Sequence, residues 1–222
     1  MNSMPELIMS GDGSHSIVST LFHTPYHSRH GAVTESRVVF IEAALDYLRK
    51  NEYRQVDVFE MGFGTGLNAL MTLIWAEANQ IAVNYHTIEA FPVGTDVVTS
   101  LNYGDLLGYE HHFMRLHTMP WASSEKISSY FTFCKWNKKI ETFASEQLFD
   151  VVFFDAFAPD TQPELWKTPM MRKMYDLLRP NGVLTSFCAQ GAFKRGLKEA
   201  GFLIERLPGP PGKREMTRAI KS

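Results

Sequence analysis

The 222-residue chain carries 22 Lys and Arg against 24 Asp and Glu, a formal net charge of −2, with 45% hydrophobic and 21% charged residues. These proportions fit one globular domain able to bury about 70% of its unfolded surface, and no apolar run approaches the roughly 18 residues of a membrane span. Only two cysteines occur, Cys134 and Cys188, which excludes a disulfide scaffold; an N-terminus without a basic start and apolar core adds the expectation of a cytoplasmic protein. The charge is uneven. From Gln190 onward eight Lys and Arg face three Glu, a net of +5, so the preceding residues carry −7. Such a basic end suits either phosphate contact or a solvated face.

Residues 1–34 are polar and turn-rich, and are expected to wrap the core and line the substrate side. Their four histidines, His15, His23, His27 and His30, match no common zinc spacing, so no metal is expected. Residues 35–222 read as the core. A helix is expected over 35–50, with Val39, Ala43, Leu45 and Leu48 on its apolar side. The β-branched and aromatic run from Val56 to Phe59 predicts a strand, and the Gly- and Pro-free stretch from Leu67 to Ala78 predicts a helix. Between them lie Gly62, Gly64 and Gly66, behind the acid Glu60. Strand, glycine turn and helix N-terminus make a nucleotide-sized site. The spacing G-x-G-x-G differs from the dinucleotide fingerprint, and no Lys-Ser/Thr pair marks a phosphate loop. An acid here repels phosphate and suits an amino group.

Val83, Tyr85 and Thr87 alternate into a second strand ending at Glu89, 23 residues after Gly66, where a carboxylate can accept hydrogen bonds from two ribose hydroxyls. A helix is expected over 93–101, another over 104–121 broken by Pro120, and a third strand over 130–135. The apolar run 149–154 suits a central parallel strand and ends at Asp155. Asp155-Ala156-Phe157-Ala158-Pro159 offers a carboxylate for an amine and a ring for a base, with Trp166 nearby. A helix over 169–178, a turn at 179–182, a strand over 183–188 and a helix over 193–200 stopped by Gly201 follow. A final strand pair spans 202–207 and 216–220. Strands alternating with helices predict an α/β, Rossmann-like doubly wound sheet in a single domain over 1–222.

The sequence Glu60-x-Gly62-x-Gly64-x-Gly66 resembles motif I of the S-adenosylmethionine (SAM) methyltransferases. Further stretches resemble the methyltransferase half of the MnmC family of tRNA-modifying enzymes: 35–40, Gly62 to Asn68, Glu89-Ala90-Phe91-Pro92, the 155–159 loop with Pro163-Glu164-Leu165-Trp166, and Gly212 to Met216. The resemblance implies a class I SAM-dependent methyltransferase fold of seven strands with the last antiparallel. It implies N-methylation of the 5-aminomethyl group of a wobble (2-thio)uridine in the anticodon region of tRNA. Glu60, Gly62, Gly64, Gly66, Asn68 and Glu89 would hold SAM together with Asp155. Asp155 and Phe157 would face the aminomethyl-uridine, with Glu35, Trp166, Lys213 and Arg214 on the substrate side. Two departures stand out. The family's FAD-dependent oxidase half has no counterpart in these residues, so the aminomethyl group is expected from elsewhere, for instance a separate oxidase. Where many relatives carry Gly-Asp after the third strand, this chain reads Cys134-Lys135-Trp136-Asn137-Lys138, leaving Asn137 as the candidate toward adenine. A small-molecule amine methyltransferase, and a non-catalytic SAM- or RNA-binding module, are the alternatives on the same fold.

Overall fold

In the computed structural model, which describes residues 5–222, a short hairpin precedes a large mixed sheet. The hairpin pairs β1 (Leu7–Met9) with β2 (His15–Ile17). Asp12 in its turn accepts hydrogen bonds from the Thr34 N–H at 2.8 Å and the Thr34 hydroxyl at 2.9 Å. This ties the hairpin to the first helix, whose opening N–H groups need such partners.

That helix starts earlier than the sequence suggests. It runs as α1 (Ala32–Ser36), a π-helical stretch Arg37–Asp46 and α2 (Tyr47–Lys50). The wider π turns loosen carbonyl pairing, and Arg218 Nη1 reaches the Ala43 carbonyl at 2.9 Å. The apolar positions Val39, Ala43, Leu45 and Leu48 are all buried.

The main sheet contains β3 (Gln55–Met61), β4 (Ala82–Glu89), β5 (Ser124–Ser128), β6 (Phe131–Asn137), β7 (Phe149–Phe154), β8 (Leu178–Ser186), β9 (Phe202–Pro208) and β10 (Glu215–Lys221). Their order is β5-β6-β4-β3-β7-β8-β10-β9. The strands β6, β4, β3, β7 and β8 are parallel, and β10 runs antiparallel to both β8 and β9. The antiparallel last strand agrees with expectation. The count of seven does not: β5 adds an eighth strand, antiparallel on the edge and carrying a bulge against β6. Its sequence Ser-Glu-Lys-Ile-Ser buries Ile127 alone, and a polar edge strand gives no alternating signal.

The helices are α3 (Leu67–Asn79), α4 (Thr95–Val98), α5 (Tyr103–Leu107), α6 (Glu110–Thr118), α7 (Thr168–Leu177) and α8 (Gly191–Ala200). The expected helix over 93–101 shrinks to one turn. The one expected over 104–121 divides at Gly108, whose φ of 73° closes α5 in the left-handed region. Residues 179–182 loop out of β8, since Leu178 pairs with Phe149 and Val183 with Val151, while Asn181 takes a φ of 64°. Arg179 in that loop bonds the buried carboxylates of Asp57 at 2.7 Å and Asp150 at 2.9 Å, tying the amino ends of β3 and β7 together.

Strand alternation divides the core in two. Val58, Tyr85, Phe133 and Phe153 pack toward α3 and the π-helical stretch. Phe59, Met61, Val152 and Phe154 face the side covered by α7 and α8. Chain order along the sheet reverses between β3 and β7, so the crevice at their carboxyl ends is where such a sheet takes a ligand. No helix among the described residues is long and apolar enough to cross a membrane.

Candidate active site

A cavity of about 390 Å³ opens at those carboxyl ends. Its first wall is the turn after β3. Gly62 has a φ of 100°, and a Cβ there would lie 2.8 Å from the Asp155 carbonyl oxygen. Gly64 has a φ of 48° and lies under the Tyr26 ring, 3.1 Å from where a Cβ would stand. Both positions combine a backbone that disfavours other residues with space already taken. The turn is therefore packed closely against Asp155 and Tyr26, and it is pinned to β4 by bonds to the Ile88 carbonyl from Gly62 N–H at 3.0 Å and Phe63 N–H at 3.2 Å. Gly66 starts α3 at a φ of 75° and lies outside the cavity lining.

Glu89 closes β4 and forms the second wall. Its Oε2 accepts the Gly64 N–H at 2.9 Å and its Oε1 accepts the Phe91 N–H at 2.8 Å. A carboxylate has about four lone-pair sites, so each oxygen keeps one for a ligand hydroxyl. Asn137 lies beside Glu89 across the ladder and donates to its backbone carbonyl at 3.0 Å. It does not line the cavity, where Phe91, Lys138 and Ile140 take that side.

Asp155 stands where β7 ends. Its Oδ2 accepts a hydrogen bond from Asn68 Nδ2 at 2.8 Å, and Asn68 Oδ1 accepts the Ser36 hydroxyl. Three elements thus fix one carboxylate. Burial pushes the Asp155 carboxyl up to about 7, and the charge of Glu35 adds to the rise; the bond from Asn68 and the charge of Lys213 oppose it. Glu35 is buried on α1 and pairs with Lys213 Nζ at 2.6 Å. Phe187 supports that ammonium with its ring, 3.9 Å from the centroid.

The roof comes from residues 22–29. The Phe157 ring packs 4.9 Å from Phe22 and 4.9 Å from Tyr26, and Phe22 also meets Phe91 at 5.6 Å. His27 Nε2 bonds the Thr65 hydroxyl at 2.6 Å, and burial pulls this imidazole down to about 4, so it is neutral. His15 instead reaches the Ser100 carbonyl at 3.0 Å. No three His, Cys, Asp or Glu side chains gather into a metal cluster among the described residues.

Of the residues singled out in the sequence, Gly62, Gly64, Asn68, Glu89, Asp155, Phe157, Glu35 and Lys213 meet around this cavity. Glu60 does not reach it. It is fully buried beneath the turn, neither carboxyl oxygen has a hydrogen-bond partner among the described residues, and burial pushes it up to about 8. Trp166 is buried behind the loop and donates its indole N–H to the Phe157 carbonyl at 2.8 Å, so it holds that ring in place. Arg214 is exposed in an adjoining shallow cleft with Pro159, Gln190 and Glu215. Phe22, Tyr26 and His27 went unrecognised as site residues. The segment has no periodicity, and only long-range contacts bring it here.

A family model described as S-adenosyl-L-methionine-dependent methyltransferase matches residues 110–222, downstream of the glycine turn and therefore independent of it. The chain is 29% identical over 227 residues to the tRNA 5-methylaminomethyl-2-thiouridine biosynthesis bifunctional protein MnmC of Acinetobacter baylyi, covering 94% of this chain and 36% of that one. It is 28% identical to the protein of the same name from Pseudoalteromonas atlantica, over 91% of this chain and 32% of that one. The chain thus spans about a third of the length of these relatives. Among solved structures, MNMC2 from Aquifex aeolicus matches with a TM-score of 0.76 at 21% identity, over 98% of this chain and 70% of that chain. SAM-bound CalS10, an amino pentose methyltransferase from Micromonospora echinaspora, matches with a TM-score of 0.50 at 12% identity, over 87% and 93% of the two chains. At those identities the likeness is one of fold.

Proposed function

Because the chain belongs to the S-adenosyl-L-methionine-dependent methyltransferase family, we propose that it methylates the 5-aminomethyl group of a wobble (2-thio)uridine in the anticodon region of tRNA, giving the 5-methylaminomethyl nucleoside. The fold is that of class I SAM-dependent methyltransferases, and SAM is the cofactor.

The residues present fit that cofactor. The glycine turn lets the backbone pass close to Asp155 and Tyr26 where Cβ atoms would collide, and Glu89 keeps free lone pairs for ribose hydroxyls. Phe91 and Ile140 offer apolar surface for a base. Glu60, buried beneath the turn, would act on the cofactor only through that turn. When bound, SAM supplies an electrophilic methyl group on a sulfonium, whose sulfur leaves with the bonding pair.

The observation that carries the reading is Asp155. A carboxyl held near pH 7, anchored by Asn68 and open to the cavity, is matched to taking the proton of a primary amine. Asp155 orients the amine and accepts its proton, which frees the nitrogen lone pair to form the new N–C bond. Phe157 stacks on the uracil, as bases drawn out of RNA do on aromatic rings. Trp166 keeps Phe157 in position through its backbone. Glu35 and Lys213 flank the base, and Arg214 with the rest of the basic C-terminal end meets RNA phosphates. An FAD-dependent oxidase activity is one source of the aminomethyl group, and the reaction takes place in the cytoplasm.

The test is methyl transfer from labelled SAM to tRNA carrying aminomethyl-uridine, followed by nucleoside analysis. Label in 5-methylaminomethyl-uridine supports the reading. Label absent from RNA but present on small amines would replace it with a metabolite methyltransferase.

A further inference from the structure

We propose that Glu35 and Lys213 form the base-reading edge of the site and select a uracil ring over a cytosine ring. The inference rests on the tRNA reading above and adds the means by which the base is recognised. Glu35 lies on α1 and Lys213 in the loop between β9 and β10, yet their side chains meet at 2.6 Å on the wall of the cavity that also holds Asp155 and Phe157. Glu35 is only 8% exposed. The Lys213 side chain is a third exposed, and a half-buried ion pair of this kind gives little net stability, because desolvation and screening offset most of the attraction. Its presence in a ligand cavity therefore points to a use there.

The remaining valences define that use. Glu35 Oε1 takes one N–H of Lys213, and Oε2 takes the Ser28 backbone N–H at 2.9 Å. Two of about four lone-pair sites are left. Lys213 has three donors and commits one to Glu35, while Phe187 faces its ammonium without consuming a donor. The wall thus presents a charged donor beside a charged acceptor. Uracil offers the complement along the edge next to C5: the O4 acceptor, then the N3–H donor. Cytosine offers an amino donor and then the N3 acceptor, a mismatch at both places. An aminomethyl group on C5 adjoins C4. A base whose amine rests on Asp155 therefore turns this same edge toward its neighbours. Asp155 is close enough to feel both charges, Glu35 raising its carboxyl and Lys213 lowering it.

The test uses the full chain with anticodon stem–loop RNAs that carry 5-aminomethyluridine, 5-aminomethylcytidine or 5-aminomethyl-3-methyluridine at one position. The unaltered protein should prefer the first over each of the others by at least about 100-fold in kcat/KM, since an unpaired buried polar group is rejected strongly. Glu35→Gln and Lys213→Met should each bring the uridine-to-cytidine ratio below about tenfold, because an amide accepts either pattern and a thioether reads neither. Comparable rates on all three RNAs with the unaltered protein would overturn the proposal and leave the methyl-transfer reading standing. So would variants that slow every RNA in proportion, the behaviour of a purely structural latch. If either variant loses all turnover, the two analogue RNAs with the unaltered protein decide. No transfer to the uridine RNA itself would instead remove the function on which the proposal rests.

Discussion

Asn68 Nδ2 lies 2.8 Å from Asp155 Oδ2, joining the first turn of the helix behind the glycine loop to the end of the central apolar strand. The amide is itself oriented, because Ser36 donates to its oxygen and leaves the nitrogen to face the carboxylate. This bond couples the cofactor side of the site to the group assigned to the substrate amine.

Asn68→Ala removes a hydrogen bond that lowers the Asp155 carboxyl, so the carboxyl should rise above its present value of about 7. Methyl transfer should fall by about 10- to 100-fold at neutral pH, with part of the loss recovered at higher pH. A pH–rate profile checks both the direction and the recovery.

Glu89→Gln replaces two charge-assisted backbone bonds and the acceptor offered to ribose. A change of about 1.5–3 kcal/mol per such bond corresponds to roughly 10- to 150-fold weaker SAM binding. Titration calorimetry with SAM measures it directly, without any RNA.

Glu60→Gln tests the floor of the site through stability. The folded carboxyl sits at about 8 against an ordinary 4.5, burial being the main cause. Below about pH 4.5 both the folded and unfolded chains hold the proton. As pH rises from there to about 8, only the folded chain holds it, and stability is lost across that window. The neutral amide escapes this loss. The variant's Tm, relative to the unaltered chain, should therefore climb between pH 5 and pH 8 and then level off. A difference that is flat with pH would show the acid already ionised.

Arg214 is exposed beside the cavity, without a salt-bridge partner among the described residues. Its assigned partner is a phosphate. Arg214→Ala should weaken tRNA binding and reduce the slope of log K against log salt by about one. Binding isotherms at several salt concentrations give the slope.

The parts of this site that were legible in the sequence are those built locally. A strand, three glycines and a helix lie within 25 residues, and Glu89 ends an alternating strand while Asp155 ends an apolar run, so their places at a sheet edge follow from pattern alone. Glu60 was legible as an acid next to the turn, but the side it faces was not. Alternation puts it with Val58 and opposite Met61, under the turn and out of the cavity. Residues 1–34 were expected on the substrate side, but that Phe22, Tyr26 and His27 form the roof was illegible because nothing periodic places them; tertiary contacts with Phe157 and Thr65 do. Trp166 was legible as an aromatic near the substrate loop, whereas its role as a donor to the Phe157 carbonyl needed coordinates. The edge strand β5 was hidden by its polar sequence.

In the proposed reaction Asp155 takes up the proton of the amine that receives the methyl group. The most direct measurement is the single-turnover rate of methyl transfer to aminomethyl-uridine RNA across pH 5 to 9, for the unaltered chain and for Asp155→Asn. The rate should rise through a midpoint near pH 7 as the carboxyl ionises. The variant should be slower by about 10²- to 10⁴-fold, with that limb gone. A variant that kept both the rate and the rise near pH 7 would contradict this role of Asp155.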